Sequence, residues 1–124
     1  MKKANLFFPE LSYEITGILF KIHNKLGRFC SERQYCDYLE EEFKKSKLNY
    51  IREKNINAEI KGDRIDFCIE DSIILECKAK KFFTKEDYLS IQRYLQNSKK
   101  KLAIVVNFRN TYLRPKRIVR IEKQ

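Results

Sequence analysis

The run LAIVVNF at residues 102–108 constrains the fold more than any other stretch of the chain. Its first five residues show no apolar–polar alternation, so it reads as a strand with neither face available to water. A strand covered on both faces needs a sheet with helices packed on it, and the remaining segments supply the partners.

From Glu10 to Leu26, residues Leu11, Ile15, Ile18, Leu19, Ile22 and Leu26 fall on one helical stripe, and Gly27 stops the helix. A second helix is predicted from an N-cap at Ser31, with Tyr35, Cys36, Leu39 and Phe43 inward before the lysine-rich stretch at 44–47. Glu32 shares that inward stripe. It is either a first-turn acid favoured by the helix dipole or a site carboxylate that needs a partner. The middle third changes period: Tyr50 to Ile60, Arg64 to Ile69 and Ile73 to Ala79 read as strands. Turns at Lys61-Gly62-Asp63 and Glu70-Asp71-Ser72 join them into an antiparallel meander. Thr84 caps a third helix running to about Asn97, with Asp87 completing a weaker form of the capping box. A last short strand is expected from Arg117 to Ile121, after Pro115. The expected order is α-α-β-β-β-α-β-(β), a mixed α/β (α+β) sheet.

A chain of 124 residues is expected to form one small domain, with a core from about 10 to 121. With 43% apolar and 13% aromatic residues, a disordered tail protein is excluded despite 35% charged residues. The formal net charge of +10 concentrates polyanions near the surface, so nucleic acid is the first partner to test; the alternative is a lysine-rich bias that serves solubility. Arg109, Arg114, Lys116, Arg117 and Arg120 give the C-terminal stretch its candidate phosphate contacts. Cys30, Cys36, Cys68 and Cys77 contain no CxxC pair, and His23 is the single histidine, so no structural zinc site is expected. The opening residues do not read as a hydrophobic leader, and no apolar run reaches the roughly 18 residues of a membrane span. The expectation is a cytoplasmic protein with reduced thiols and no membrane partner.

The chemistry sits at Glu76-Cys77-Lys78. Strand side chains alternate, so Glu76 and Lys78 leave one face while Cys77 turns to the other. Asp66 lies ten residues back, across the turn at 70–72, where adjacent strands can set two carboxylates together. Two hard oxygen donors beside a lysine suit Mg²⁺ or Mn²⁺ and an oriented water. The alternative is an edge salt bridge among Asp66, Glu76 and Lys78. Against it, the charges extend from the apolar run Ile73-Ile74-Leu75, and charge at the end of a buried strand needs a reason.

This arrangement resembles the PD-(D/E)xK nuclease superfamily, whose restriction-endonuclease-like fold is a three-layer core in α-β-β-β-α-β order. Within it the chain is similar to the GxxExxY protein family. The matching pieces are IHNKLG at 22–27, Glu32 with Tyr35, RIDFCI at 64–69, IILECKA at 73–79, RYL at 93–95 and LAIVVNF. The resemblance implies a metal site of Glu32, Asp66 and Glu76, with the Cys77 backbone carbonyl as a further ligand and Lys78 as the catalytic lysine. Two positions depart from the pattern. Phe29 stands where the motif has its glycine, and Ser90 stands where members often carry a glutamine. Gln92 is then a weak candidate, set against an exposed helix residue. His23 is either functional or a packing residue, and the Tyr35 hydroxyl either holds Glu32 or merely fills the core. The cysteines read as small core hydrophobes. The leading expectation is a Mg²⁺- or Mn²⁺-dependent nuclease acting on DNA. A non-hydrolytic nucleic-acid-binding module and an oligomeric interaction protein, as a homodimer or with a partner protein, are the alternatives.

Overall fold

The computed structural model describes residues 7–52 and 65–122. Helix α1 (Pro9–Leu26) starts with proline at its first position, where the missing N–H costs nothing. It ends at Gly27, whose φ of 79° and ψ of −160° fall in a region that side chains resist. Helix α2 (Glu32–Lys45) opens with the expected cap: the Ser31 hydroxyl accepts from the Gln34 N–H, and the Gln34 side chain accepts from the Ser31 N–H. Strands β1 (Tyr50–Arg52), β2 (Phe67–Ile69) and β3 (Ile73–Lys78) follow, then helix α3 (Lys85–Ser98) and strands β4 (Leu102–Asn107) and β5 (Lys116–Val119). The continuation of the first strand to Ile60, the turn at Lys61-Gly62-Asp63 and the Arg64 start of the second lie outside the described residues.

The five strands form one sheet in the order β1-β2-β3-β4-β5. β1, β2 and β3 pair antiparallel, as the meander requires. β3 and β4 pair parallel across the α3 crossover, and β5 returns antiparallel on β4. All six residues of β4 are buried, which is what the run at 102–108 demands. Helices α1 and α2 cover one face, where Ile15, Leu19, Leu39 and Phe43 meet Phe67, Leu75, Ile104 and Phe108. Helix α3 covers the other, where Ile91 and Leu95 meet Ile74, Ala103 and Val105. At about 1.5–3 kcal/mol for each large apolar side chain buried, both layers contribute strongly to folding. Among the described residues, three helices flank a five-stranded mixed sheet, the mixed α/β arrangement expected of a restriction-endonuclease-like fold. No helix among the described residues is long and apolar enough to cross a membrane.

Two expectations about side-chain direction change. Gln92 is not an exposed helix residue: it is 7% exposed, because β5 and the chain after it lie along α3 and widen the helix's covered arc. Its amide donates to the Val119 carbonyl at 2.9 Å, and its oxygen accepts from the Ile121 N–H at 3.1 Å. Glu32 is not inward. It is exposed, since it sits in the first turn of α2, ahead of the part of the helix that packs on the sheet.

Candidate active site at the end of the third strand

The site forms where β3 emerges from the core. Glu76 is 5% exposed and projects on the α3 face together with Ile74, whereas Cys77 faces α1 and α2. Asp66 immediately precedes β2, and the β2–β3 register sets it across from Glu76. The two residues interlock: the Asp66 N–H donates to Glu76 Oε1 at 2.9 Å, and the Cys77 N–H donates to Asp66 Oδ2 at 2.7 Å. Burial first, and then the Asp66 carboxylate, push the Glu76 carboxyl well above the usual carboxylate range. The Lys78 ammonium opposes that shift.

Lys78 is half-buried, and its Nζ lies 3.8 Å from Asp87 Oδ1 on the first turn of α3. Asp87 also accepts from Lys80 Nζ at 2.7 Å and from the Thr84 N–H at 2.8 Å. These cationic and hydrogen-bonding partners outweigh its burial and hold its carboxyl at about 2. The capping residue of the sequence reading is thus also the group that positions the lysine. Nothing in the spacing of Asp87 marks that role, because its partners lie on another element.

From the other face, Glu32 Oε2 accepts from the Ala79 N–H at 3.3 Å, so α2 delivers a third carboxylate to the end of β3. The Tyr35 hydroxyl does not hold Glu32. It donates to the Gly27 carbonyl at 2.5 Å and accepts from the Cys30 N–H at 3.3 Å, while its ring stacks on Phe108 at 4.0 Å. Tyr35 therefore shapes the α1–α2 connection that carries Glu32. His23 is buried, with Nε2 2.9 Å from the Asn110 carbonyl.

The donor set suits a hard divalent cation: two carboxylates brought together, one deeply buried, are a charge arrangement that such an ion relieves. Beneath them, the Cys36 and Cys77 sulfurs and an Asp66 carboxylate oxygen lie within 4.8 Å of one another, a second grouping able to hold a metal ion. A hydrogen bond with Cys36 and then burial push the Cys77 thiol up. From the sequence both cysteines read as core hydrophobes, because their meeting across α2 and β3 carries no local signal.

Of the basic C-terminal residues, Arg114 and Lys116 line a groove of about 230 Å³ with Lys81, Phe82, Phe83 and Asn107. Asn107 is the register partner of Lys78, so the groove adjoins the site. Arg109 bonds the Arg28 and Ala79 carbonyls. Arg117 reaches Ser12 Oγ on α1 and the Phe7 carbonyl, and Arg120 pairs with Glu122; neither lines the groove.

A mixed sheet flanked by helices, with paired acids and a lysine at the end of its third strand, defines a nuclease-like domain. The profile of the PD-(D/E)XK nuclease superfamily matches residues 9–121, and the chain belongs to that superfamily. No curated protein and no solved structure matches it.

Proposed function

We propose that this chain is a divalent-metal-dependent nuclease of the GxxExxY type that hydrolyses phosphodiester bonds in DNA, in the cytoplasm. The observation that carries the reading is the interlocked Asp66–Glu76 pair with Lys78 two residues on, beside a basic groove. Asp66, Glu76 and Glu32, with the Cys77 carbonyl, would hold Mg²⁺ or Mn²⁺. When bound, such a cation would supply Lewis-acid polarisation of a phosphoryl oxygen and would lower the pKa of a coordinated water. Lys78 then neutralises charge developing on the scissile phosphate and orients the attacking water, its ammonium kept in place by Asp87. The attacking water bonds to phosphorus and gives up a proton to solvent as the bond to the leaving oxygen breaks, and that oxygen takes up a proton from solvent. Arg114 and Lys116 attract the flanking phosphates.

A second reading, a nucleic-acid-binding module without hydrolysis, draws on the same Lys78–Asp87 contact, which turns the lysine toward α3. One experiment separates them: wild type, Glu76→Gln and Lys78→Ala are incubated with labelled single-stranded DNA, duplex DNA and RNA, each with Mg²⁺, Mn²⁺ or chelator. Cleavage of DNA that needs metal and disappears in both variants is the expected result. Metal-dependent cleavage at wild-type rate by both variants, or none by the wild type, overturns the nuclease reading.

A further inference from the structure

Phe29, the residue standing where the family motif carries glycine, is 74% exposed yet held in place. The Arg28 guanidinium carbon lies 4.6 Å from its ring centroid, and that of Arg109 lies 5.6 Å away. The two arginines lock each other. Arg28 Nε donates to the Arg109 carbonyl at 2.7 Å, and Arg109 Nε donates to the Arg28 carbonyl at 3.2 Å. Arg109 Nη2 also donates to the Ala79 carbonyl at 3.2 Å, on the residue whose N–H bonds Glu32. The aromatic is therefore fastened to the residue next to Lys78. The platform and the basic groove share a neighbour, because Asn107 Oδ1, in the groove wall, accepts from the N–H groups of both Lys80 and Arg109 at 3.2 Å.

A ring that is 74% exposed, with two guanidinium groups packed over it, sets aromatic surface and positive charge within one nucleotide's reach. An unpaired base supplies the matching face and its phosphodiester the matching charge, whereas a continuous duplex keeps its base faces stacked inside. We propose that Phe29 is a stacking platform for an unpaired nucleobase, with Arg28 and Arg109 on its phosphate, which makes single-stranded nucleic acid the preferred substrate. The inference rests on the nuclease reading for the chemistry next door, but binding at Phe29 is measured without it.

The chain contains no tryptophan, so Phe29→Trp installs a single indole reporter at the platform. In a Glu76→Gln background with Mg²⁺, a 12-nucleotide single strand should quench that indole saturably and bind about tenfold more tightly than a blunt duplex of the same length. Phe29→Ala, at an exposed position, should weaken single-strand binding about tenfold, the loss of one base–aromatic stack. Absence of quenching, undiminished single-strand binding by Phe29→Ala, or equal affinity for the duplex overturns the platform. Cleavage by wild type without quenching removes the platform and leaves the nuclease standing; quenching without cleavage does the reverse.

Discussion

At the residue scale, the protonation of the site is governed by pairs of groups that meet only in the fold. Asp87 illustrates the energetics. Its folded carboxyl sits at about 2, below the ordinary 3.8, so the folded state binds fewer protons than the unfolded one between those values. Its stabilising contribution is complete above pH 4 and is lost as pH falls through about 2. Asp87→Asn should therefore cost roughly 1–2 kcal/mol at pH 7 and nothing near pH 1.5, measured by urea unfolding across pH. The same variant releases Lys78 and should lower cleavage rate with little change in substrate affinity, checked by single-turnover kinetics. Glu76 and Lys78 were legible because two-residue alternation decides which face each takes. Asp87 and Cys36 were not, because their partners lie on separately placed elements.

At the element scale, the α1–α2 connection decides where Glu32 arrives. Gly27 adopts a backbone conformation that other residues enter only with strain, although a Cβ there would meet no atom within 4 Å. Gly27→Ala should cost about 1–3 kcal/mol through backbone strain alone, read as a lowered urea midpoint with unchanged slope. Tyr35→Phe removes a hydroxyl that both donates and accepts within this connection, and should cost about 1 kcal/mol. On the other face, Gln92 bonds β5 and the chain after it to α3, so Gln92→Ala should speed amide exchange at Ile121 while the β3 and β4 amides stay protected. The sequence showed the apolar stripes of α1 and α2, the glycine that ends α1 and the N-caps of α2 and α3, since these depend on near neighbours. It did not show the breadth of the α3 covered face, which β5 sets from a distance.

At the scale of the whole molecule, the charge of +10 is unevenly used. Arg114 and Lys116 face the groove beside the site, whereas Arg117 is occupied with α1 and the chain before it. Replacing Arg114 or Lys116 by Gln should weaken nucleic-acid binding and reduce the salt slope of affinity by about one each. Arg117→Gln should leave that slope unchanged and lower thermal stability instead, as followed by parallel salt titrations and melts. Composition alone gave all five C-terminal cations equal standing, because a sum of charges carries no direction.

The sequence by itself determined the order of elements, the two-sided burial of β4, and the placement of Glu76 and Lys78 on one face of β3. Each of these follows from side-chain periodicity and local capping, which act over a few residues. Only the tertiary structure decided that Asp66 interlocks with Glu76, that Asp87 holds Lys78, that Tyr35 fastens a loop rather than Glu32, and that Arg28 and Arg109 flank an exposed Phe29. These contacts join residues brought together by sheet register and helix docking, and those are settled by the packing of the whole chain.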